Sequence, residues 1–112
     1  MFEGKRVLVV DGDFLVAFDV QRILEQAGAT SPVFVRTAGE AESLRERWNE
    51  FDLALVHRGK DGHALIEALV ASGLRVVVNT SDIRIAAPEG AVMLERPFNE
   101  AQLLGACESA LT

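Results

Sequence analysis

The stretch "VLVVDGDFLVAFDVQRILEQAG", residues 7–28, decides the fold class, because it holds a strand and a helix joined by a short acidic turn. Val7-Leu8-Val9-Val10 is short, continuous and mostly β-branched, the pattern of a strand buried on both faces. Beyond Asp11-Gly12-Asp13, residues Val16, Val20, Ile23, Leu24 and Ala27 recur at helical spacing and form one apolar face. Asp13 is placed to cap this helix, since its carboxylate can accept the unpaired N–H groups of the first turn. Gly28 is placed to end it.

The same unit repeats outward from this stretch. Further strand-like runs are Val33-Phe34-Val35, Leu53-Ala54-Leu55-Val56, Val76-Val77-Val78 and Ala91-Val92-Met93-Leu94. A second helix opens on a capping box, Thr37-Ala38-Gly39-Glu40, and turns Ala41, Leu44 and Trp48 inward. A third is capped by Asp61, buries Leu65, Ala68 and Leu69, and stops at Gly73. The last is capped by Asn99 and packs Leu103, Cys107 and Ala110. Between them "SDIRIAAPEG" (81–90) is bounded by Pro88 and Gly90, which predicts only a short or distorted helix over 81–87. Alternation of strands and helices predicts an α/β fold, a parallel sheet between two helical layers, in one domain spanning 1–112. Sites in such sheets lie beyond the carboxyl ends of the strands, where strand order reverses. With the order 2-1-3-4-5, Asp11 and His57 fall side by side at that point.

Composition narrows the function classes. The chain has 112 residues, 49% hydrophobic and 25% charged, ordinary for a globular protein with a real core. A net charge of −6 argues against nucleic acid as a partner, because phosphate binding needs a basic face. The lone cysteine, Cys107, sits on an apolar helical stripe and reads as a buried small hydrophobe. No apolar run approaches the ~20 residues of a membrane span. Residues 1–6 lead straight into a strand, so no secretory signal is expected and the cytoplasm is the expected compartment.

Taken together, "VLVVDGD" (7–13), "DLALVH" (52–57), "VVVNTS" (76–81) and "ERPF" (95–98) resemble the receiver domain of two-component response regulators over essentially the whole chain. The resemblance implies a three-layer (βα)5 sandwich, flavodoxin-like, with a parallel five-stranded sheet of order 2-1-3-4-5. It also implies phosphorylation of an aspartate at the end of the third strand, Mg²⁺ held by acidic residues after the first, a lysine before proline after the fifth, and a hydroxyl after the fourth. This sequence departs from most of that pattern. His57 stands at the acceptor position and Gly12 where the main metal-binding carboxylate belongs. Arg96 replaces the lysine, a planar fork for a compact ammonium. Asp11 is retained, Thr80 fits the switch hydroxyl, and Pro97-Phe98 fits the motif. The turn from His57 to Gly62 is also shorter than the family's.

The expectation is therefore an atypical, phosphorylation-independent interaction module in phosphorelay signalling, with no enzymatic activity of its own. Mg²⁺ binding should be weak or absent, Asp11 and Asp13 being the residual metal candidates, and no other cofactor is expected. An Arg96–Asp11 ion pair should fill the vacated pocket. His57 reads as a neutral side chain partnered by Asp11 or a backbone carbonyl; as a pH-sensitive group, its neighbouring carboxylate would favour the charged form. Thr80 reads equally as a strand-end hydroxyl bonded to backbone, and His63 as a surface residue. The alternatives are a working phosphorelay switch with an unusual acceptor such as His57, and a small-ligand sensor in the vacated pocket. The partner would be a protein of the pathway, whether histidine kinase, phosphotransfer protein or output protein, or a second copy in a homodimer; neither nucleic acid nor membrane is expected. The resemblance puts the partner face within residues 83–110, with Ile83, Ile85, Met93, Pro97 and Phe98 as candidates. Phe14 and Phe18, off the core stripe of the first helix, form a second candidate patch.

Overall fold

Each apolar run identified above lies in a strand, and the strands pair in parallel. The computed structural model describes residues 2–59, 62–82 and 88–112. In chain order the elements are β1 (Arg6–Val10), α1 (Phe14–Gln26), β2 (Thr30–Val35), α2 (Ala38–Glu42), β3 (Leu53–His57), α3 (His63–Ala71), β4 (Arg75–Thr80), β5 (Ala91–Glu95) and α4 (Glu100–Leu111). The sheet order is β2-β1-β3-β4-β5, the expected flavodoxin-like arrangement.

Strand alternation divides the core in two. Val7, Val9, Leu53, Leu55, Val77 and Leu94 face one way and pack with Val20, Ile23 and Leu24 of α1 and Leu103, Cys107 and Ala110 of α4. Leu8, Val10, Ala54, Val56, Val76 and Val78 face the other way, onto Ala41, Trp48, Leu65, Ile66 and Leu69. Two-sided burial explains why β1, β3 and β4 read as continuous apolar runs. Burial pushes the Cys107 thiol up to about 12, so it is inert as a nucleophile.

The helix ends follow their caps. Asp13 accepts from the Leu15 and Val16 N–H groups at 3.0 and 3.4 Å, and Gly28 takes φ +105° after α1, a conformation that favours glycine. Asn99 and Gln102 close a reciprocal capping box on α4.

Four details depart from the sequence reading. The strands extend beyond the apolar runs to His57, to Asn79 and Thr80, and to Glu95, because the hydrogen-bond ladder continues there. The second helix ends at Glu42 and is followed by a 3₁₀ segment, Arg45–Glu50. There Trp48 reaches back to donate its Nε1–H to the Ala41 carbonyl at 3.0 Å, beneath the Arg45 guanidinium 4.7 Å from its ring centroid. Thr37 caps α2 as expected, but Glu40 accepts from the Arg36 N–H, not from Thr37. The N-cap position of α3 is Gly62; Asp61, Ile83, Ile85 and most of the short helix expected over 81–87 lie outside the described residues. Among the described residues no helix is long and apolar enough to cross a membrane.

The two faces of α1 make the core testable. Leu24 is fully buried, so Leu24→Ala should cost about 2–5 kcal/mol in urea unfolding. Phe18→Ala, at a position 61% exposed on the same helix, should stay within about 0.5 kcal/mol.

Candidate functional site

Alternation assembles the site. Asp11 continues the series Val7, Val9; His57 continues Leu53, Leu55; Asn79 follows Val77; Arg96 follows Leu94. All four therefore share the sheet face that carries α1 and α4, at the carboxyl edge. Val10 pairs with Val56 and His57 with Asn79, so Asp11, His57 and Asn79 stand nearly in line across β1, β3 and β4.

Asp11 is only 3% exposed, and a buried carboxylate is stable only when paired and hydrogen-bonded. One oxygen, Oδ1, accepts from the Asp13 N–H at 2.8 Å. The other, Oδ2, takes the Arg96 Nη2–H in a short ion pair. Arg96 also donates from Nε to Oδ1 of Asn79, which is 1% exposed. Its backbone N–H donates to the Thr80 carbonyl at 2.8 Å. The fork thus grips two side chains on two strands at once, which a lysine ammonium could not do with the same geometry. The following peptide, Arg96-Pro97, is cis.

Each partner of the ion pair lines a different cleft. One, of 280 Å³, is lined by Asp11, Gly12, Arg36, Thr37, His57 and Leu65 among others. The other, of 490 Å³, runs between α1 and the segment after β5, lined by Leu15, Val16, Asp19, Ser81, Arg96, Pro97 and Phe98. Asp11, Gly12 and His57 line the first cleft together, while Arg96 lines the second.

His57 departs from its expected partner. Its Nδ1 is 3.7 Å from Asp11 Oδ1, beyond hydrogen-bond range. Burial, then the Arg96 charge, push its imidazole below the ordinary value, outweighing the Asp11 and Asp13 carboxylates. The neutral form is favoured: Asp11 does act towards the charged form, as expected, but is outweighed. Thr80, 3% exposed, lies on the opposite strand parity and its hydroxyl accepts from the Asp82 N–H at 3.1 Å, the backbone-bonded alternative. His63 is exposed and pairs with Glu67 one turn along α3. Pro97 is exposed and Phe98 half-buried against the core; Met93 is half-buried against the other core cluster, so it contributes packing more than free surface.

The donor set does not fit the Mg²⁺ that the resemblance implies. Asp11 has both oxygens engaged, Asp13 caps α1, and Gly12 offers only backbone. Among the described residues no group of three or more His, Cys, Asp and Glu side chains could hold a metal. Backbone strain does not demand Gly12: its φ is not positive, and an added Cβ would make one ordinary contact, 3.6 Å to the Arg36 carbonyl.

Sequence reasoning brought Asp11, His57, Asn79 and Arg96 to one edge but gave Asn79 no part in the site. The signal was available, since Asn79 is the first polar residue after three valines in β4. Arg36 and Thr37 also line the smaller cleft, and Thr37 was read only as a helix cap.

Two outcomes test this geometry. Arg96→Ala leaves Asp11 buried without its countercharge and should destabilise the fold by roughly 3–5 kcal/mol in chemical unfolding. Because the folded-state value of His57 lies below its unfolded ~6.5, the unfolded state binds more protons as pH drops through that range. Stability should fall with pH there, His57→Asn should flatten that slope, and the NMR titration midpoint of His57 should lie below ~6.5.

No protein-family profile matches the chain, and no curated protein matches it in sequence. Solved structures do match. A response regulator receiver domain protein from Bacillus halodurans C-125 superposes with a TM-score of 0.81 at 21% identity, over 96% of this chain and 97% of that one. The chemotaxis response regulator CheY4 of Vibrio cholerae gives 0.79 at 21% identity, over 96% and 99%. An orphan response regulator of H. pylori gives 0.79 at 18% identity, over 100% of both chains. At these identities the likeness is one of fold: the chain has the fold of response regulator receiver domains.

Proposed function

We propose that the chain is a receiver-type interaction module of two-component or phosphorelay signalling that works without phosphorylation and catalyses no reaction itself. The observation that carries the reading is the buried Arg96 fork on Asp11 and Asn79. Phosphoryl transfer to a carboxylate needs a nucleophile in line with the phosphorus and a cation on the moving oxygens. Here the position at the end of β3 is a histidine favoured in its neutral form. The retained carboxylate already has a cation attached, one that belongs to the chain. The arrangement supports a fixed conformation, in which the strand ends are held by an internal ion pair rather than by a phosphoryl group that comes and goes. Its partner on this reading is another protein of the pathway: a kinase, a phosphotransfer protein or an output protein.

Incubation with Mg²⁺ and acetyl phosphate, read by intact mass, should add no phosphoryl group, and beryllium fluoride should leave the amide spectrum unchanged. A stable adduct on His57, Asp11 or Asp13 would sink this reading and favour the working switch with an unusual acceptor.

A further inference from the structure

Gly4, Gly28, Gly73 and Gly90 take positive φ, a conformation that favours glycine. Gly12, Gly59 and Gly62 do not, yet all three line the 280 Å³ cleft at the carboxyl edge of β1 and β3. Packing does not demand glycine at the first two. A Cβ on Gly59 would meet nothing within 4 Å, and one on Gly12 only the Arg36 carbonyl at 3.6 Å. What bare backbone achieves there is room, and a close approach for a ligand to peptide N–H groups. Among the described residues, the N–H groups of Gly12 and Gly59 have no acceptor.

The charges of the cleft favour an anion. Among the described residues the carboxylate that lines it is Asp11, already neutralised by Arg96. The carboxylates of Asp13 and Glu40 are occupied with the backbone N–H groups of Leu15 and Arg36. His57, favoured in its neutral form, supplies one donor and one acceptor. Arg36 also lines the cleft, and among the described residues its guanidinium has no carboxylate partner. Behind Gly62, where an added Cβ would come to 3.4 Å from the Arg58 Cα, a second guanidinium is unpaired, its Nε buried without a partner. The planar fork of an arginine is shaped to hold a carboxylate by two parallel hydrogen bonds. Val10, Ala38, Val56 and Leu65 add apolar walls. The volume falls just under the roughly 300–1,000 Å³ of ordinary ligand pockets, so the occupant is small. Because Asp11 shares the cleft, a single negative charge suits it better than a dianion, whose repulsion from that carboxylate is greater. We propose that this cleft binds a small organic carboxylate, its charged end held by Arg36 and the glycine backbone and its apolar body against Val10, Val56 and Leu65.

The site rests on the reading of a chain that works without phosphorylation, and the two fail separately: a phosphoryl adduct would overturn that reading while ligand titration still judged the cleft. The test titrates the whole ¹⁵N-labelled chain, at constant ionic strength, with butyrate and benzoate, with butyramide and benzamide as their uncharged counterparts, and with inorganic phosphate. At least one carboxylate should shift the amides of Gly12, Thr37, Ala38, His57 and Gly62, and its uncharged counterpart should bind at least tenfold more weakly. Arg36→Gln, at an exposed position, should weaken the carboxylate at least tenfold and leave the thermal unfolding midpoint unchanged. Gly12→Leu should abolish binding by filling the cleft; Arg36→Gln decides alone if that variant does not fold. Equal binding of carboxylate and uncharged counterpart, shifts confined to other surfaces, or affinity that survives Arg36→Gln would overturn the proposal. So would the absence of any response to both carboxylates at millimolar concentration. Tighter binding of phosphate at the same amides would overturn it in favour of a phosphate site.

Discussion

Two-sided burial of the central strands is the constraint on which everything else depends. In β1, β3 and β4 successive side chains enter opposite helical layers, so nearly every position must be apolar while the strand is inside the core. A polar residue can appear only where the strand leaves that sandwich. In a parallel sheet all strands leave at the same edge. Asp11, His57 and Asn79 are therefore brought together by the same rule that makes Val7–Val10, Leu53–Val56 and Val76–Val78 apolar, and the register aligns them.

Once gathered, these groups must satisfy one another. Asp11 is too deeply buried to remain without a countercharge, and Arg96 supplies it from just past the end of β5, two strands beyond the neighbouring β3. Asn79 receives the remaining reach of the guanidinium. The result is an edge tied across β1, β4 and β5 by one side chain. His57 is left beside a carboxylate that is already neutralised. Its proton is then governed by burial and by the arginine. Asp11 still raises the proton affinity of His57, but burial first and the arginine second outweigh it.

The same arginine links the edge to the surface. Arg96 forms part of the wall of the groove beneath Leu15 and Val16, while its guanidinium holds Asp11. A receiver fold with its acidic site closed by an internal ion pair retains its surfaces, and among the described residues the exposed large hydrophobics are on α1.

Much of this was legible before any coordinates. The apolar runs and their spacing determined the strands, the layer architecture and the edge at which polar residues gather, because strand alternation and parallel crossover are local rules. Asp13, Thr37, Asn99 and Gly28 marked helix ends correctly, since capping needs only neighbouring residues. The break in the second helix was not legible, because it follows from Trp48 folding back onto Ala41, a contact between turns. Nor was the site's internal arrangement. That Arg96 would bind Asn79 as well as Asp11, and that burial together with this arginine would depress His57, depends on distances between strands. Sequence order determined which residues reached the edge; only the tertiary structure decided which of them would pair, because Coulomb attraction and desolvation act through space and are set by burial.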